Sequence, residues 1–265
     1  MSDPIVIAGA ARTPMGGFQG ALSGATAADL GGAAIGAALE RAGVPAAQVN
    51  ELLMGCVLPA GQGQAPARQA GFKAGLGADV PATTLNKMCG SGMKTVMMAH
   101  DQLKACNGDV LIAGGMESMT NAPYLLPKMR GGARMGHTEV VDHMFFDGLQ
   151  NAYDGHDLMG NFAEKCAGKY EFSRESQDEF AIGSLTKALE AQKSGAFDAE
   201  IAPVAIKTRK GEIVVSEDEQ PKNARPEKIP TLRPAFAKDG TVTAANASSI
   251  SDGAAALVLM RESDA

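Results

Sequence analysis

Short apolar segments that are typical of buried β-strands alternate with helical patterns through residues 5–114. These segments begin at Ile5, Leu52, Ala82 and Asp109, and a further one spans 255–260. Several are continuous apolar runs, as in strands that helices cover on both faces of a parallel sheet. The alternation therefore predicts an α/β fold with a mainly parallel sheet.

Short local motifs mark the boundaries of the predicted helices. Thr26 and Asp29 form a predicted capping box, because a hydroxyl and a carboxylate at this spacing satisfy the first free backbone donors of a helix. That helix is expected to end at Gly43. Further helices are predicted to begin near Pro66 and near Gly90.

The regular alternation stops after about residue 119. Residues 120–150 have weak periodicity, helical segments follow at 159–171 and 173–194, and residues 203–240 are rich in charge. This order predicts a sheet domain that is interrupted by an inserted region. The predicted domains are residues 1–119 with 246–265, and an inserted loop domain, 120–245.

The charge balance of the chain is acidic, with a formal net charge of −6 at pH 7. A nucleic-acid-binding domain normally carries a basic face, so the composition argues against a nucleic-acid partner. The opening residues lack the basic and apolar regions of a signal peptide, and no run reaches the roughly 18 apolar residues of a membrane span. The sequence predicts a cytoplasmic protein with no membrane partner.

The cysteines and histidines do not have the spacing of a metal site. The 4 cysteines include no CxxC pair, and structural zinc sites normally use such spacings. His137, His143 and His156 are too scattered along the sequence to suggest shared ligation. We expect free thiols in a reducing compartment and no bound metal.

Cys89 is predicted to lie at a strand-to-helix turn, between a strand that ends near Asn86 and a helix that begins near Gly90. A thiol at a helix N-terminus meets the positive end of the macrodipole and free N–H groups, which favour the nucleophilic thiolate. Spacing alone leaves two interpretations open for Cys89, a reactive nucleophile or a small buried apolar residue. The buried, inert interpretation is preferred for the other cysteines, Cys56, Cys106 and Cys166. His100 follows about three helical turns later and is expected to be structural or on the surface, so the sequence predicts no Cys/His pair.

The segment around Cys89, Asn86-Lys87-Met88-Cys89-Gly90-Ser91-Gly92-Met93, resembles the first active-site signature of thiolases, the acetyl-CoA acetyltransferases. Further motifs that resemble thiolases, including the bacterial acetoacetyl-CoA thiolases, follow in the same order over essentially the whole chain. They are residues 10–14, 113–119, 147–149, 158–160, 232–236, 240–244, 246–248 and 252–256.

The resemblance implies a thiolase-like fold, with a mixed, mainly parallel five-stranded sheet, helices on both sides and an inserted α/β loop region. It also implies a reaction by covalent catalysis. Cys89 would take an acyl group from acyl-CoA, and a second acetyl-CoA would attack that thioester in a Claisen condensation, or the reverse thiolysis would occur. Coenzyme A is then a substrate or product, and no cofactor is expected.

The resemblance also assigns substrate-binding residues in the inserted region. Ser248 would hydrogen-bond the pantetheine amide, whereas Lys222 and Arg225 are candidate partners of the CoA phosphates, or else solvated surface charges. The residues expected to contact substrate are Met159, Arg225, Leu232, Phe236, Ala244 and Ser248.

Two departures from the thiolase pattern affect these expectations. Biosynthetic thiolases often carry His directly before the Met-Gly of the insert, but Leu158 stands there and His156 lies two residues earlier. Thiolases also continue into a C-terminal domain that supplies a catalytic His and a second Cys, and neither motif occurs here. We therefore expect that domain as a missing partner and poor turnover by this chain alone.

Other functions and assemblies stay open at this point. A non-catalytic CoA-binding half and a condensing enzyme that resembles ketoacyl synthases are the alternatives to a thiolase. Thiolases form dimers or tetramers, so a homo-oligomer is expected, with the loop 128–137 as a candidate contact.

Overall fold

A computed structural model describes residues 3–153, 155 and 157–265. Its strands, in chain order, are β1 (Ile5–Arg12), β2 (Gly16–Gly17), β3 (Glu51–Gly55), β4 (Ala82–Leu85), β5 (Val110–Ser118), β6 (Tyr124–Leu125), β7 (Val141–Asp142), β8 (Val204–Thr208), β9 (Gly211–Val215) and β10 (Ser251–Arg261). Its α-helices are α1 (Ala27–Ala42), α2 (Pro66–Lys73), α3 (Ser91–Lys104), α4 (Met159–Lys169), α5 (Arg174–Ser194) and α6 (Glu219–Asn223). Short 3₁₀ turns span Ala46–Gln48, Met129–Gly131 and Pro226–Thr231, and a π-helical turn spans Met144–Leu149.

The main sheet has the strand order β1-β10-β5-β3-β4, and the short β2 pairs with β10. β3 is parallel to both β4 and β5, whereas β10 is antiparallel to both β1 and β5. Four of the five long strands therefore run in one direction, which confirms the mixed, mainly parallel sheet. The central place of β10, the last strand in the chain, could not be predicted from the sequence.

Helices cover both faces of this sheet, as predicted. Alternate residues of a strand point to opposite faces, so Leu52 and Met54 of β3 pack in one core with α1 and α2. Leu53, between them, packs in a second core with Leu103 of α3. Burying each such side chain contributes about 1.5–3 kcal/mol, and β3 is thus held from both sides.

Local motifs set the helix ends as the sequence predicted. Thr26 and Asp29 form a capping box at the start of α1, and Gly43 ends the helix in the left-handed conformation at φ 64°. Gly195 ends α5 in the same way at φ 73°. The glycines fit because a residue without Cβ reaches positive φ at little cost.

The chain divides into two compact units. The first contains residues 1–121, 197–219 and 251–265, and the second contains 122–196 and 220–250. The segment Phe197–Glu219 thus lies in the first unit. The domain boundaries predicted from the sequence, 1–119 with 246–265 and 120–245, stay a prediction.

The hairpin of β8 and β9 lies in a region that the sequence marked only as charged. Val204 and Ile206 of β8 are buried, while Ala205 and Lys207 between them are exposed. The alternation is thus present, but the solvent face and the turn carry the charges that dominate the composition of the segment. No helix among the described residues is long and apolar enough to cross a membrane.

Candidate active site

Cys89 lies in the turn between β4, which ends at Leu85, and α3, which begins at Ser91. Its thiol is free and exposed. The first interpretation, a residue available for reaction, therefore fits the structure, and the interpretation of Cys89 as a buried apolar residue is wrong.

The turn before Cys89 is held in an unusual backbone conformation. Met88 has φ +50°, which is uncommon for a residue with a side chain. The Asn86 Oδ1 atom accepts a hydrogen bond from the Met88 N–H at 2.9 Å, and the Gly90 N–H donates to the Lys87 carbonyl at 3.2 Å. Strain of this kind persists where the surrounding contacts enforce it, and it turns the chain sharply so that Cys89 stands at the helix start.

Ser91, the first residue of α3, stabilises the same turn. Its buried hydroxyl accepts the Lys87 N–H at 2.9 Å and donates to the Met88 carbonyl at 2.6 Å. The Lys94 N–H donates to the carbonyl of Gly90, the N-cap residue of α3. Gly92 and Met93 lie between Ser91 and Lys94 in the first turn of α3, where backbone N–H groups have no acceptor within the helix. Such amides can stabilise negative charge on a thioester oxygen.

Glycines allow the start of α3 to pack directly on the sheet. A Cβ atom on Gly55 would lie 2.6 Å from the Ser91 Cβ in the first turn of α3, whereas one on Gly114 would lie 2.1 Å from the Ala255 carbonyl oxygen of the neighbouring strand β10. The buried Thr95 hydroxyl lies 2.7 Å from the Gly92 carbonyl and 2.9 Å from that of Gly114. Gly55 of β3 therefore allows close packing of the helix that carries Cys89, and Thr95 joins that helix to Gly114 of β5.

Glu117, in the same glycine-rich segment, binds the loop after β3. Its carboxylate accepts the Val57 N–H at 2.7 Å and the Leu58 N–H at 3.0 Å, and the Cys56 thiol lies 3.5 Å away. Burial and the charge of Glu117 raise the pKa of Cys56 to about 12. Cys56 is 1% exposed, so the prediction of a buried, inert thiol is confirmed for this residue.

The same prediction is wrong for Cys106 and Cys166, which are both exposed. Cys106 follows the end of α3 at φ +58°, so it does not share the buried face of that helix. Cys166 lies on α4 beside Ala167, the buried position of that helix, and so points along another face. A general preference of cysteine for burial could not predict these outcomes, because helix rotation and helix ends decide them.

None of the three described histidines, His100, His143 and His137, belongs to a metal-binding group. His100 is on the surface, where its ring contacts Asp101 at 3.1 Å, and His143 is buried with its Nδ1 2.6 Å from Asp147. Within the described part of the chain, no three His, Cys, Asp or Glu residues form a group that could hold a metal. His137 is exposed, and His156 lies outside the described residues.

The predicted substrate-binding residues lie in the second unit, and packing joins two of their segments. Met159 is the first residue of α4 and is 48% exposed. A Cβ atom on the next residue, Gly160, would lie 2.3 Å from the Phe236 ring, and Asn161 donates to the Phe236 carbonyl at 3.0 Å. The structure therefore brings Phe236 against the start of α4.

Ala244 and Ser248 are exposed residues of the partly buried loop that follows Phe236. The Ala235 N–H donates to the Val242 carbonyl at 2.9 Å, and Glu164 of α4 accepts the Val242 N–H at 2.9 Å. Leu232 is partly buried, whereas Arg225 and Lys222 are exposed. Exposure of the two cations fits either phosphate binding or a solvated surface.

The sequence assigned no role to several polar residues that order these turns and loops. Ser91, Glu117 and Asn246 lie inside the motifs 86–93, 113–119 and 246–248, but the motifs do not show which contacts these side chains make. Arg174 and Asp178 have only their spacing of four as a signal, and Glu164 of α4 is a further such residue.

Comparison with known proteins gives a family for the whole chain. A family model for the thiolase N-terminal domain matches residues 5–263. The acetyl-CoA acetyltransferase of Rhizobium meliloti (strain 1021) is 51% identical over 267 residues, which cover 100% of this chain and 67% of that protein. That of Cupriavidus necator (strain H16) is 52% identical over 258 residues, covering 97% and 65%.

The chain belongs to the thiolase family. It also matches the crystal structure of Acat5 thiolase from Ascaris suum in complex with coenzyme A, with a TM-score of 0.91 and 40% identity over 98% of this chain and 66% of that one. The α/β thiolase fold predicted from the sequence motifs is thus confirmed. The chain spans about two thirds of the length of these thiolases, and the roles of Cys89 and of the substrate-binding residues stay predictions.

Proposed function

We propose that this chain carries the acyl-accepting part of a thiolase reaction, with Cys89 as the nucleophile. The observation that carries the proposal is the exposed Cys89 thiol beside Gly90, the N-cap residue of α3, in a turn fixed by Asn86 and Ser91. Relatives that are 51% and 52% identical to this chain are named acetyl-CoA acetyltransferases. These names support acetyl transfer from acetyl-CoA.

The proposed step is a thioester exchange. The Cys89 thiolate attacks the thioester carbonyl carbon of acyl-CoA and forms a tetrahedral intermediate whose oxygen carries the negative charge. Backbone N–H groups at the start of α3 would stabilise that charge. The intermediate collapses as the carbon–sulfur bond to CoA breaks, and the CoA thiolate leaves and takes up a proton. Cys89 then holds the acyl group as a thioester.

The acyl group would next be transferred to carbon. A second acetyl-CoA, deprotonated at its methyl carbon, attacks the Cys89 thioester, so that a carbon–carbon bond forms and the Cys89 thiolate is released. When the acyl group on Cys89 is acetyl, the product is acetoacetyl-CoA. Thiolysis of acetoacetyl-CoA is the reverse of these two steps. The resemblance assigns the proton transfers of this step to a His and a second Cys of the C-terminal thiolase motifs, and these motifs do not occur in this sequence.

Coenzyme A binding is assigned to the second unit. Met159, Leu232, Phe236, Ala244 and Ser248 would contact the pantetheine and acyl portions, and Arg225 would contact phosphate. Coenzyme A is substrate and product here, not a cofactor. A homo-oligomer, a cytoplasmic location and a C-terminal thiolase domain as partner are parts of the same proposal.

Acylation can be tested directly on the chain. After incubation with acetyl-CoA and acid quenching, peptide mass spectrometry should find one added acetyl group on the Cys89 peptide. Cys89→Ser should abolish it, whereas the matched control Cys106→Ser, at another exposed thiol, should not. Iodoacetamide at neutral pH should label Cys89 faster than Cys106.

The outcomes separate this proposal from its alternatives. Coenzyme A binding without acylation of Cys89, together with equal labelling of Cys89 and Cys106, would favour a non-catalytic CoA-binding half. Acylation by an acyl carrier protein thioester in preference to acetyl-CoA would favour a condensing enzyme of the ketoacyl synthase kind.

A further inference from the structure

Asp178 is a buried carboxylate on α5 for which the proposed chemistry has no use. It is 5% exposed, and Asp residues are rarely so buried unless they are paired. Its two oxygens contact different side chains, and each of these side chains holds a different loop. The arrangement therefore links two loops through one carboxylate.

One oxygen of Asp178 fixes Arg174. The Arg174 Nε donates to Asp178 Oδ2 at 2.6 Å, one helical turn along α5. With its guanidinium held in this way, Arg174 Nη2 donates to the carbonyls of Ile229 and Leu232, each at 3.0 Å. Arg174 thereby anchors the segment that carries Leu232.

The other oxygen of Asp178 fixes Asn246. The Asn246 Nδ2 donates to Asp178 Oδ1 at 3.0 Å and to the Thr241 carbonyl at 3.1 Å. Its Oδ1 accepts the N–H of the fully buried Thr243 at 2.7 Å. The Asn246 side chain therefore stabilises, through hydrogen bonds to its backbone, the loop that carries Ala244 and Ser248.

We propose that Asp178 is a positioning residue that holds the two coenzyme A-contacting segments, 229–232 and 241–248, in one fixed arrangement. This inference rests on the proposed function, because it takes Leu232, Ala244 and Ser248 as contacts of coenzyme A. Loops are otherwise the mobile parts of a fold, and a ligand that contacts two loops binds more tightly when both are already in place, because binding then has less ordering cost.

The amide variant of this carboxylate tests the inference. Asp178→Asn keeps the shape, but its NH₂ group then faces a donor of either Arg174 or Asn246, so at least one anchor is lost. We expect the dissociation constant of coenzyme A, measured by calorimetry, to rise about tenfold, because binding must then also order the released loop. Asn246→Ala should have a similar effect, and the double variant should lose less than the product of the two single losses.

Asp218→Asn is the matched control. Asp218 is 7% exposed and pairs with Arg12 Nη1 at 2.7 Å and Nη2 at 3.0 Å in the first unit. Like Asp178→Asn, the Asp218→Asn variant removes a buried carboxylate that pairs with an arginine, so both variants should lower the melting temperature. Only Asp178→Asn should weaken coenzyme A binding, which a merely structural role would not produce.

Hydrogen exchange of the unliganded chain provides a second readout. Asp178→Ala removes both acceptor oxygens, so it should speed amide exchange in both 229–232 and 241–248, while the hairpin 204–215 keeps its rate. If the unsubstituted chain binds coenzyme A but Asp178→Asn binds equally well, or if only one segment exchanges faster in Asp178→Ala, the inference is overturned and the proposed function stands. If the unsubstituted chain does not bind coenzyme A, the coenzyme A assignment of the proposed function fails, and this inference fails with it.

Discussion

A Cβ atom on Gly55 would lie 2.6 Å from the Cβ of Ser91, closer than side-chain atoms pack. It would also lie 2.8 Å from the Ser91 carbonyl carbon. Gly55→Ala should therefore push the start of α3 off the sheet, reduce the free energy of unfolding by about 1–3 kcal/mol and slow iodoacetamide labelling of Cys89. Denaturant titration and peptide mass spectrometry measure the two effects. Gly36→Ala in α1, where a Cβ meets nothing within 4 Å, should instead stabilise by up to ~1 kcal/mol. An equal labelling rate in Gly55→Ala and Gly36→Ala would contradict the packing argument.

Cys56 predicts a loss of stability in alkali. Burial and the Glu117 charge raise the pKa of this thiol from its ordinary value of 9.0 to about 12. The folded state thus keeps its proton where the unfolded state has lost it, so this contribution to stability is full below pH 9 and is lost as the pH rises toward 12. Between pH 9 and 11, the free energy of unfolding should fall more steeply for the unsubstituted chain than for Cys56→Ala. Cys106→Ala, at an exposed thiol, should follow the unsubstituted chain. Parallel curves for all three would refute the argument.

The contribution of Asp29 to the free energy of unfolding should be lost in acid. Burial alone would raise the pKa of its carboxyl, but Lys73 and the Thr26 capping bonds lower it below the ordinary value of 3.8. Its contribution is therefore present above about this pH and is lost as the pH falls through the folded-state pKa. Asp29→Asn should cost about 1 kcal/mol at pH 7, and the difference should shrink below pH 4. Thermal unfolding across this range measures it. Glu40→Gln, late in the same helix, should show no such loss at pH 7.

Gly160 is predicted to control the position of Phe236. A Cβ at this position would lie 2.3 Å from three atoms of the Phe236 ring, so Gly160→Ala should displace that ring and destabilise the chain by about 1–3 kcal/mol. Since Phe236 is a proposed contact of the acyl-pantetheine group, coenzyme A binding should weaken as well. Gly168→Ala, in the same helix with nothing within 4 Å, should raise stability and leave binding unchanged. Equal dissociation constants for the two variants would remove Phe236 from the proposed site.

Local sequence determined the elements of this protein. Short apolar or β-branched segments predicted the strands that became β1, β3, β4, β5 and β10, and caps such as Thr26 and Gly43 predicted helix ends, because these features depend on neighbours a few residues away. The turn between β4 and α3 that presents Cys89 was predictable for the same reason. The family motifs added the thiolase assignment.

Only the tertiary structure decided how distant segments meet. The insertion of β10 between β1 and β5, the carboxylate of Glu117 on the loop at Val57, and the pairing of Asp178 with Asn246 each join residues far apart in the chain. Apolar periodicity shows that a strand or helix buries one side, but it does not specify the partner. Likewise, whether Cys106 or Cys166 is exposed depends on where a helix ends or which of its faces is covered. Such outcomes depend on the whole packed core, so no short stretch of sequence determines them alone.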